Sequence, residues 1–135
     1  MKIREIMTTK VITARPDETI KEVILRLRTN KISGLPVINS SKKIVGVFSE
    51  SDVMMALPDI LNDADAIPLI DIKELTDNSV RMVMSEPRFT ISPEADVKDA
   101  AKIMLEKYVH RLPVTENDEL IGLVSLGDVL KALTS

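Results

Sequence analysis

There is no cysteine in this chain, no tryptophan, and only one histidine. Without thiols no disulfide can form and no thiolate can act as a nucleophile, although the redox compartment is left open. Two phenylalanines and one tyrosine are the only aromatics, too few for the stacking platforms of single-stranded nucleic-acid binders. A net charge of −3 argues against general binding to a phosphate backbone. No apolar run approaches the ~20 residues needed to span a bilayer. The opening MKIREIM lacks the long apolar core of a signal peptide. The expected setting is therefore the cytoplasm, with neither membrane nor nucleic acid as a partner. Metal-ligand spacing, a P-loop and a Gly-x-Ser-x-Gly elbow are missing too. The acidic pairs are scattered over helix caps and a central stretch, as solvated charges are. Catalysis is not expected.

What the chain does have is a repeat. His110 to Leu133 reads as an apolar run ending in Pro-Val, a polar turn, a second apolar run, and a Ser-Asp pair opening an amphipathic helix. Gly34 to Leu57 repeats it with one residue more in the turn. The match extends upstream: Ile3 to Met7 corresponds to Val80 to Met84, and Thr13 and Pro16 to Thr90 and Pro93. Gly46 corresponds to Gly122, and Ser49 with Asp52 to Ser125 with Asp128. Internal repetition outranks any local motif as a guide to architecture. Copies of ~50 residues are small for cores of their own, which predicts one pseudo-symmetric domain in which the two pack on each other.

In chain order, Ile3, Ile6 and Met7 predict a short helix or turn. Val11 to Thr13 is β-branched and extended, and Pro16 keeps Arg15 out of the helical region. Thr19 and Glu22 form a capping box, behind which Ile20, Val23, Ile24 and Leu27 make one apolar helix face fading near Asn30. Strands follow at Leu35 to Ile38 and Ile44 to Phe48, and Ser49 starts a helix expected to stop before Pro58. The second copy repeats this order, with a first strand at Arg88 to Ile91, a cap at Asp96 and a helix face of Val97, Ala100, Ala101 and Met104. Its turn is expected at Thr115 to Glu119. Residues 58–79 have no counterpart. They carry six acidic residues against Lys73 alone, yet Ile67, Leu69, Ile70 and Ile72 are apolar. They read as a partly helical linker covering one edge of the core, or else as a docking surface for a basic partner.

Leu35-Pro36-Val37 with Gly46-Val-Phe-Ser49-Glu-Ser-Asp52, and Leu112-Pro113-Val114 with Gly122-Leu-Val-Ser125-Leu-Gly-Asp128, resemble a tandem of cystathionine-β-synthase (CBS) domains, a Bateman module. The resemblance covers nearly the whole chain: repeat 1 at 1–57, the acidic linker at 58–79, repeat 2 at 80–135. It implies an α/β (α+β) fold of two pseudo-symmetric βαββα repeats packed through their sheets. It also implies an adenosine-containing ligand of the AMP, ADP or ATP class in inter-repeat clefts. No cofactor is obligatory, and the adenine nucleotide acts as a regulatory ligand. Such modules commonly form homodimers and regulate an enzyme, transporter or channel, here expected to be a separate protein. A sensor of S-adenosylmethionine or another ligand, and a ligand-free interaction module with vestigial clefts, are the alternatives.

The chemistry of such a ligand names the residues. An adenine nucleotide needs an apolar slot for the base, a carboxylate for the ribose diol, and donors with positive charge for phosphate. In the second copy Phe89, Ile91 and Val114 can line the slot beside Pro113, and Asp128 can accept from both ribose hydroxyls. The Ser125 hydroxyl and the free N–H groups of a helix N-terminus can face phosphate. Asp128 would repel that phosphate, and His110 and Arg111 are the adjacent cations to offset it. Ser125 with Asp128 is equally a helix cap, and both roles can hold together. Thr90, like Thr13, is a strand residue or a ligand contact. In the first copy the corresponding set is Ile12, Thr13, Ala14, Lys31, Pro36, Val37, Ser49 and Asp52. Ser33-Gly34 there replaces the His-Arg pair, so the second copy is the preferred site and one ligand per chain the expectation.

Overall fold

The structure, a computed structural model, describes residues 1–61 and 76–135. The readings of the acidic stretch fall largely outside the described residues. The described helices are α1 (Ile20–Asn30), α2 (Glu50–Leu61), α3 (Val97–Lys107) and α4 (Leu126–Leu133). The strands are β1 (Gly34–Ile38), β2 (Ile44–Ser49), β3 (Arg111–Glu116) and β4 (Glu119–Ser125). Short 3-10 turns at Ile3–Glu5 and Val80–Met82 open the two copies. Helices and two-stranded sheets alternate in the same order in each copy, which makes the fold α+β.

Local chemistry sets where the helices begin. Thr19 Oγ accepts from the Glu22 N–H at 3.1 Å, and Asp96 Oδ1 from the Lys98 N–H at 2.9 Å, so each satisfies a backbone donor that the first helical turn leaves without a partner. Both helices close on a residue in the left-handed region, Lys31 at φ 55° and Tyr108 at φ 56°. One expected boundary is corrected: α2 does not stop before Pro58 but runs to Leu61. A proline withdraws one N–H from the ladder, but its own φ is helical, so the backbone can continue through it.

The expected leading strands shrink to a single parallel bridge in each copy, Ala14 with Val37 and Ile91 with Val114. Prolines explain the limit. Each bridge is a pair of bonds: Ala14 N–H to the Pro36 carbonyl at 3.1 Å and Ile38 N–H to the Ala14 carbonyl at 2.9 Å. Extending it back to Ile12 would need an N–H from Pro36, and extending it forward would need one from Pro16. Pro113 and Pro93 impose the same limit around Ile91.

The β3–β4 hairpin is antiparallel, with Arg111 opposite Ser125 and a bulge between Val114 and Thr115. Its turn is tighter than the span from Thr115 to Glu119. The strands run on to Glu116 and from Glu119, leaving Asn117 and Asp118 at φ 54° and 65°. Two consecutive positive φ values match the twist of a two-residue hairpin, and Asn and Asp tolerate them well.

Two compact units emerge, and along the sequence they interleave. One comprises Met1–Val11, Ser41–Ile44 and Arg88–Ser135; the other comprises Ile12–Ser40 and Val45–Pro87. Each unit has a core of its own, built from one copy together with the leading segment of the other. The first core gathers Ile91, Val97, Ala100, Met104, Leu112, Val114, Val124 and Val129 around Ile3. The second gathers Ala14, Ile20, Val23, Leu27, Leu35, Val37 and Phe48 around Val80. Ile3 and Val80 are fully buried, so each copy fills its core with the leading segment of the other. Thr8 exchanges backbone bonds with Leu123 at 2.8 and 2.9 Å, and Ser85 does the same with Val47. The repeated glycines make room for these segments. A Cβ on Gly122 would stand 2.6 Å from Met7 Sδ and 3.0 Å from the Thr8 carbonyl. On Gly46 it would meet Met84 Sδ at 2.6 Å and the Ser85 carbonyl at 3.2 Å.

Candidate functional site

In the second copy the hairpin register brings the predicted cation to the predicted helix start. Arg111 lies opposite Ser125. The His110 carbonyl accepts the Leu126 N–H at 2.8 Å, tying the beginning of β3 to the first residue of α4. Ser125 Oγ accepts the Asp128 N–H at 3.1 Å, and Asp128 Oδ2 accepts the Ser125 N–H at 2.8 Å. That reciprocal pair is a complete capping box. It uses one carboxylate oxygen, and among the described residues Asp128 Oδ1 has no hydrogen-bond partner. His110 and Arg111 are exposed, and Ser125 and Asp128 are half-buried.

The bridge at Ile91 joins the slot residues: its N–H reaches the Pro113 carbonyl at 3.0 Å, and the Thr115 N–H reaches the Ile91 carbonyl at 3.0 Å. Ile91, Pro113 and Val114 are buried, Phe89 is half-buried and Thr90 exposed. The surface on offer at this end is therefore Phe89 and Thr90, with the other three as packing beneath. Lys107 Nζ stands 5.8 Å from the centre of the Phe89 ring, a cation that the sequence reading did not single out.

The first copy has the same frame and a different state of occupancy. The Ser33 carbonyl accepts the Glu50 N–H at 2.9 Å, as His110 does for Leu126. Asp52 Oδ2 accepts from the Ser49 N–H and from Ser49 Oγ, each at 2.9 Å, and the Asp52 N–H lies 3.3 Å from Ser49 Oγ. Its other oxygen is taken as well, by Ser85 Oγ at 2.6 Å. Gly34 faces Ser49 so closely that a Cβ there would stand 3.3 Å from Ser49 Cβ and 3.1 Å from the Phe48 carbonyl. Ala14, Pro36 and Val37 are buried, while Ile12 and Thr13 are half-buried. Lys31 is exposed, and among the described residues no hydrogen bond or ion pair ties it to Ser49 or Asp52.

A second contact closes on Thr13. Arg26 Nη1 donates to the Thr13 carbonyl at 2.9 Å and to Glu18 Oε1 at 2.9 Å, while Nη2 donates to Glu18 Oε2 at 2.5 Å. The Arg26 hydrogen bonds hold the Glu18 carboxyl below the usual carboxylate range, helped by the Arg15 N–H, and Glu18 raises Arg26 in turn. Both Ser85 and Arg26 were missed in the sequence. The available signal was the break in the repeat: Glu18 and Arg26 stand where the second copy has Ala95 and Ile103, and Ser85 where the first copy has Thr8.

Among the described residues, no helix is long and apolar enough to cross a membrane. The family model for the CBS domain matches residues 3–59 and 80–135. Uncharacterized protein MJ1426 of Methanocaldococcus jannaschii is 36% identical over 155 residues, covering 98% of this chain and 91% of that protein. The chloroplastic CBS domain-containing protein CBSX1 of Arabidopsis thaliana is 30% identical over 149 residues, covering 96% of this chain and 63% of that protein. The crystal structure of CBSX2 in complex with AMP superposes with a TM-score of 0.80 at 26% identity, covering 98% of this chain and 96% of that one.

Proposed function

This chain belongs to the CBS domain family as a tandem pair, and from that premise we propose that it is a regulatory module whose second repeat binds an adenosine monophosphate-type ligand. Asp128 carries the reading. Its Oδ2 caps α4, and its Oδ1 has no partner among the described residues and can accept a ribose hydroxyl. Arg111, opposite Ser125 in the hairpin register, supplies the positive charge that a phosphate beside a carboxylate requires. His110 adds a second donor, Ser125 and the first N–H groups of α4 complete the phosphate side, and Phe89 and Thr90 offer a surface for the base above Ile91, Pro113 and Val114. The binding of AMP by CBSX2 supports this choice of ligand class. The chain would act in the cytoplasm on a separate enzyme, transporter or channel, with nucleotide occupancy as the signal.

Calorimetric titration with AMP and with adenosine, beside apo melting curves, tests the assignment. A ribose carboxylate makes charge-assisted hydrogen bonds worth ~1.5–3 kcal/mol, so Asp128→Ala should weaken both ligands by at least about tenfold. Loss of a carboxylate from the first turn of α4 should cost the apo protein only ~0.3–1 kcal/mol. Unchanged AMP affinity in a folded Asp128→Ala protein would remove Asp128 from the site. Absence of binding by the unaltered chain would favour a ligand-free interaction module.

A further inference from the structure

The two repeats share one backbone frame, yet among the described residues one leaves its acidic oxygen open and the other does not. Resting on the ligand reading above, we propose that Ser85 is a built-in occupant of the first repeat, and that it restricts nucleotide binding to one molecule per chain. Asp52 receives three donors: Ser49 N–H and Ser49 Oγ on Oδ2, at 2.9 Å each, and Ser85 Oγ on Oδ1 at 2.6 Å. A ribose diol needs the oxygen that Ser85 holds. Arg26 does the same to the neighbouring backbone, covering the Thr13 carbonyl at 2.9 Å.

Among the described residues, neither contact has a counterpart in the second repeat. Thr8 occupies the Ser85 position with the same backbone pairing, Thr8 to Leu123 matching Ser85 to Val47. Among the described residues, however, its hydroxyl makes no hydrogen bond to Asp128. The backbone is held constant, so the side chain makes the difference. Serine turns freely about χ1 and delivers its hydroxyl to the carboxylate, whereas β-branched threonine is confined in its choice. Ile103 and Ala95 likewise stand where the first repeat has Arg26 and Glu18, so the second repeat has no counterpart of that pair. The contacts that the second repeat leaves for a ligand are thus satisfied at the first by protein groups, Ser85 from the leading segment of the other copy and Arg26 from α1.

Stoichiometry is the measurement, by calorimetric titration of the full chain with adenosine, because Ser33-Gly34 leaves the first repeat without the His-Arg pair that a phosphate needs. The unaltered chain should bind one equivalent. Ser85→Ala should bind a second one, because releasing a hydrogen bond to a charged group strengthens a competing ligand by about tenfold or more. Ser85→Ala/Asp52→Ala should return to one. Ser85→Thr, which gives the first-repeat site the residue type that Thr8 supplies beside Asp128's helix, should also gain a site and serves if the alanine variant fails to fold. Two equivalent sites in the unaltered chain, or a single site in both folded Ser85 variants, would overturn the proposal while leaving the second-repeat site intact. An unaltered chain that binds no adenosine contradicts the second-repeat assignment instead. In that case a site gained by Ser85→Ala still upholds the role of Ser85, and no binding by either chain sinks both.

Discussion

Arg111 and Glu18 show how differently two charged side chains can matter. Arg111 is exposed at the start of β3, and its proposed work is on phosphate. Arg111→Ala should weaken AMP by roughly ten- to a hundredfold and adenosine far less, since only the nucleotide offers an anion. Added salt should narrow the gap between parent and variant. Equal losses for the two ligands would assign Arg111 to the fold. Glu18 is the converse case, joined to Arg26 through both carboxylate oxygens and half-shielded from water. Its carboxyl is held low, so the stabilisation is present above the unfolded carboxyl range and is lost as pH falls through the lower, folded value. Glu18→Gln should cost about 1 kcal/mol at neutral pH, toward the low end for a charged hydrogen bond because the pair stays partly wet. In acid the difference between parent and variant should shrink, and melting curves at neutral and acidic pH measure it. A gap that is constant across pH would detach the effect from the titration of Glu18.

The elements were legible in the sequence wherever one local rule decided them. Thr19, Asp96 and Ser125 announced helix starts because a short oxygen-bearing side chain ahead of an apolar face has few other uses. The Leu-Pro-Val runs announced strands. Illegible were the outcomes that depend on what a distant segment supplies. Pro36 and Pro113 limit the leading strands only because Ala14 and Ile91 pair beside them, and nothing local predicts that partner. Ser85 was invisible as a ligand-site residue for the same reason, since it lies 33 positions from Asp52. Ile3 and Val80 read as parts of their own copies and proved to be plugs in the other core. Ile3→Ala should therefore cost about 2–5 kcal/mol, and its effect should appear first as lost amide protection in β3 and β4. Val80→Ala removes fewer atoms and should deprotect β1 and β2 instead. Hydrogen exchange resolved by segment distinguishes the two, and loss confined to each variant's own copy would contradict the exchange of segments. Gly122→Ala tests the same packing from the other side. A methyl group there meets Met7 Sδ and the Thr8 carbonyl, and overpacking of this kind costs about 1–3 kcal/mol.

For the whole molecule, large apolar side chains remain at the surface of every described helix, among them Met54 and Met55 on α2, and Leu126, Leu130 and Leu133 on α4. An amphipathic helix with a bare apolar face calls for a partner, and a homodimer is the expected one. Light scattering at micromolar concentration, with and without AMP, should give about twice the 15.0 kDa chain mass. A monomer under both conditions would refute the dimer. A Leu130→Glu variant, whose side chain is exposed already, should shift the dimer toward monomer without unfolding the chain.

The traded leading segments bear on ancestry. A single repeat obeying the same exchange rule has no donor within its own chain, because the segment that plugs its core must arrive from another copy. Before duplication, such a repeat would have been complete only when two identical polypeptides swapped their first residues. Gene fusion would then have made permanent, in one chain, a handshake that had been intermolecular. It also forbids a clean division today: residues 1–79 and 80–135, made as separate polypeptides, each carry the other's missing plug. Either should be poorly folded alone, and both should recover order when mixed.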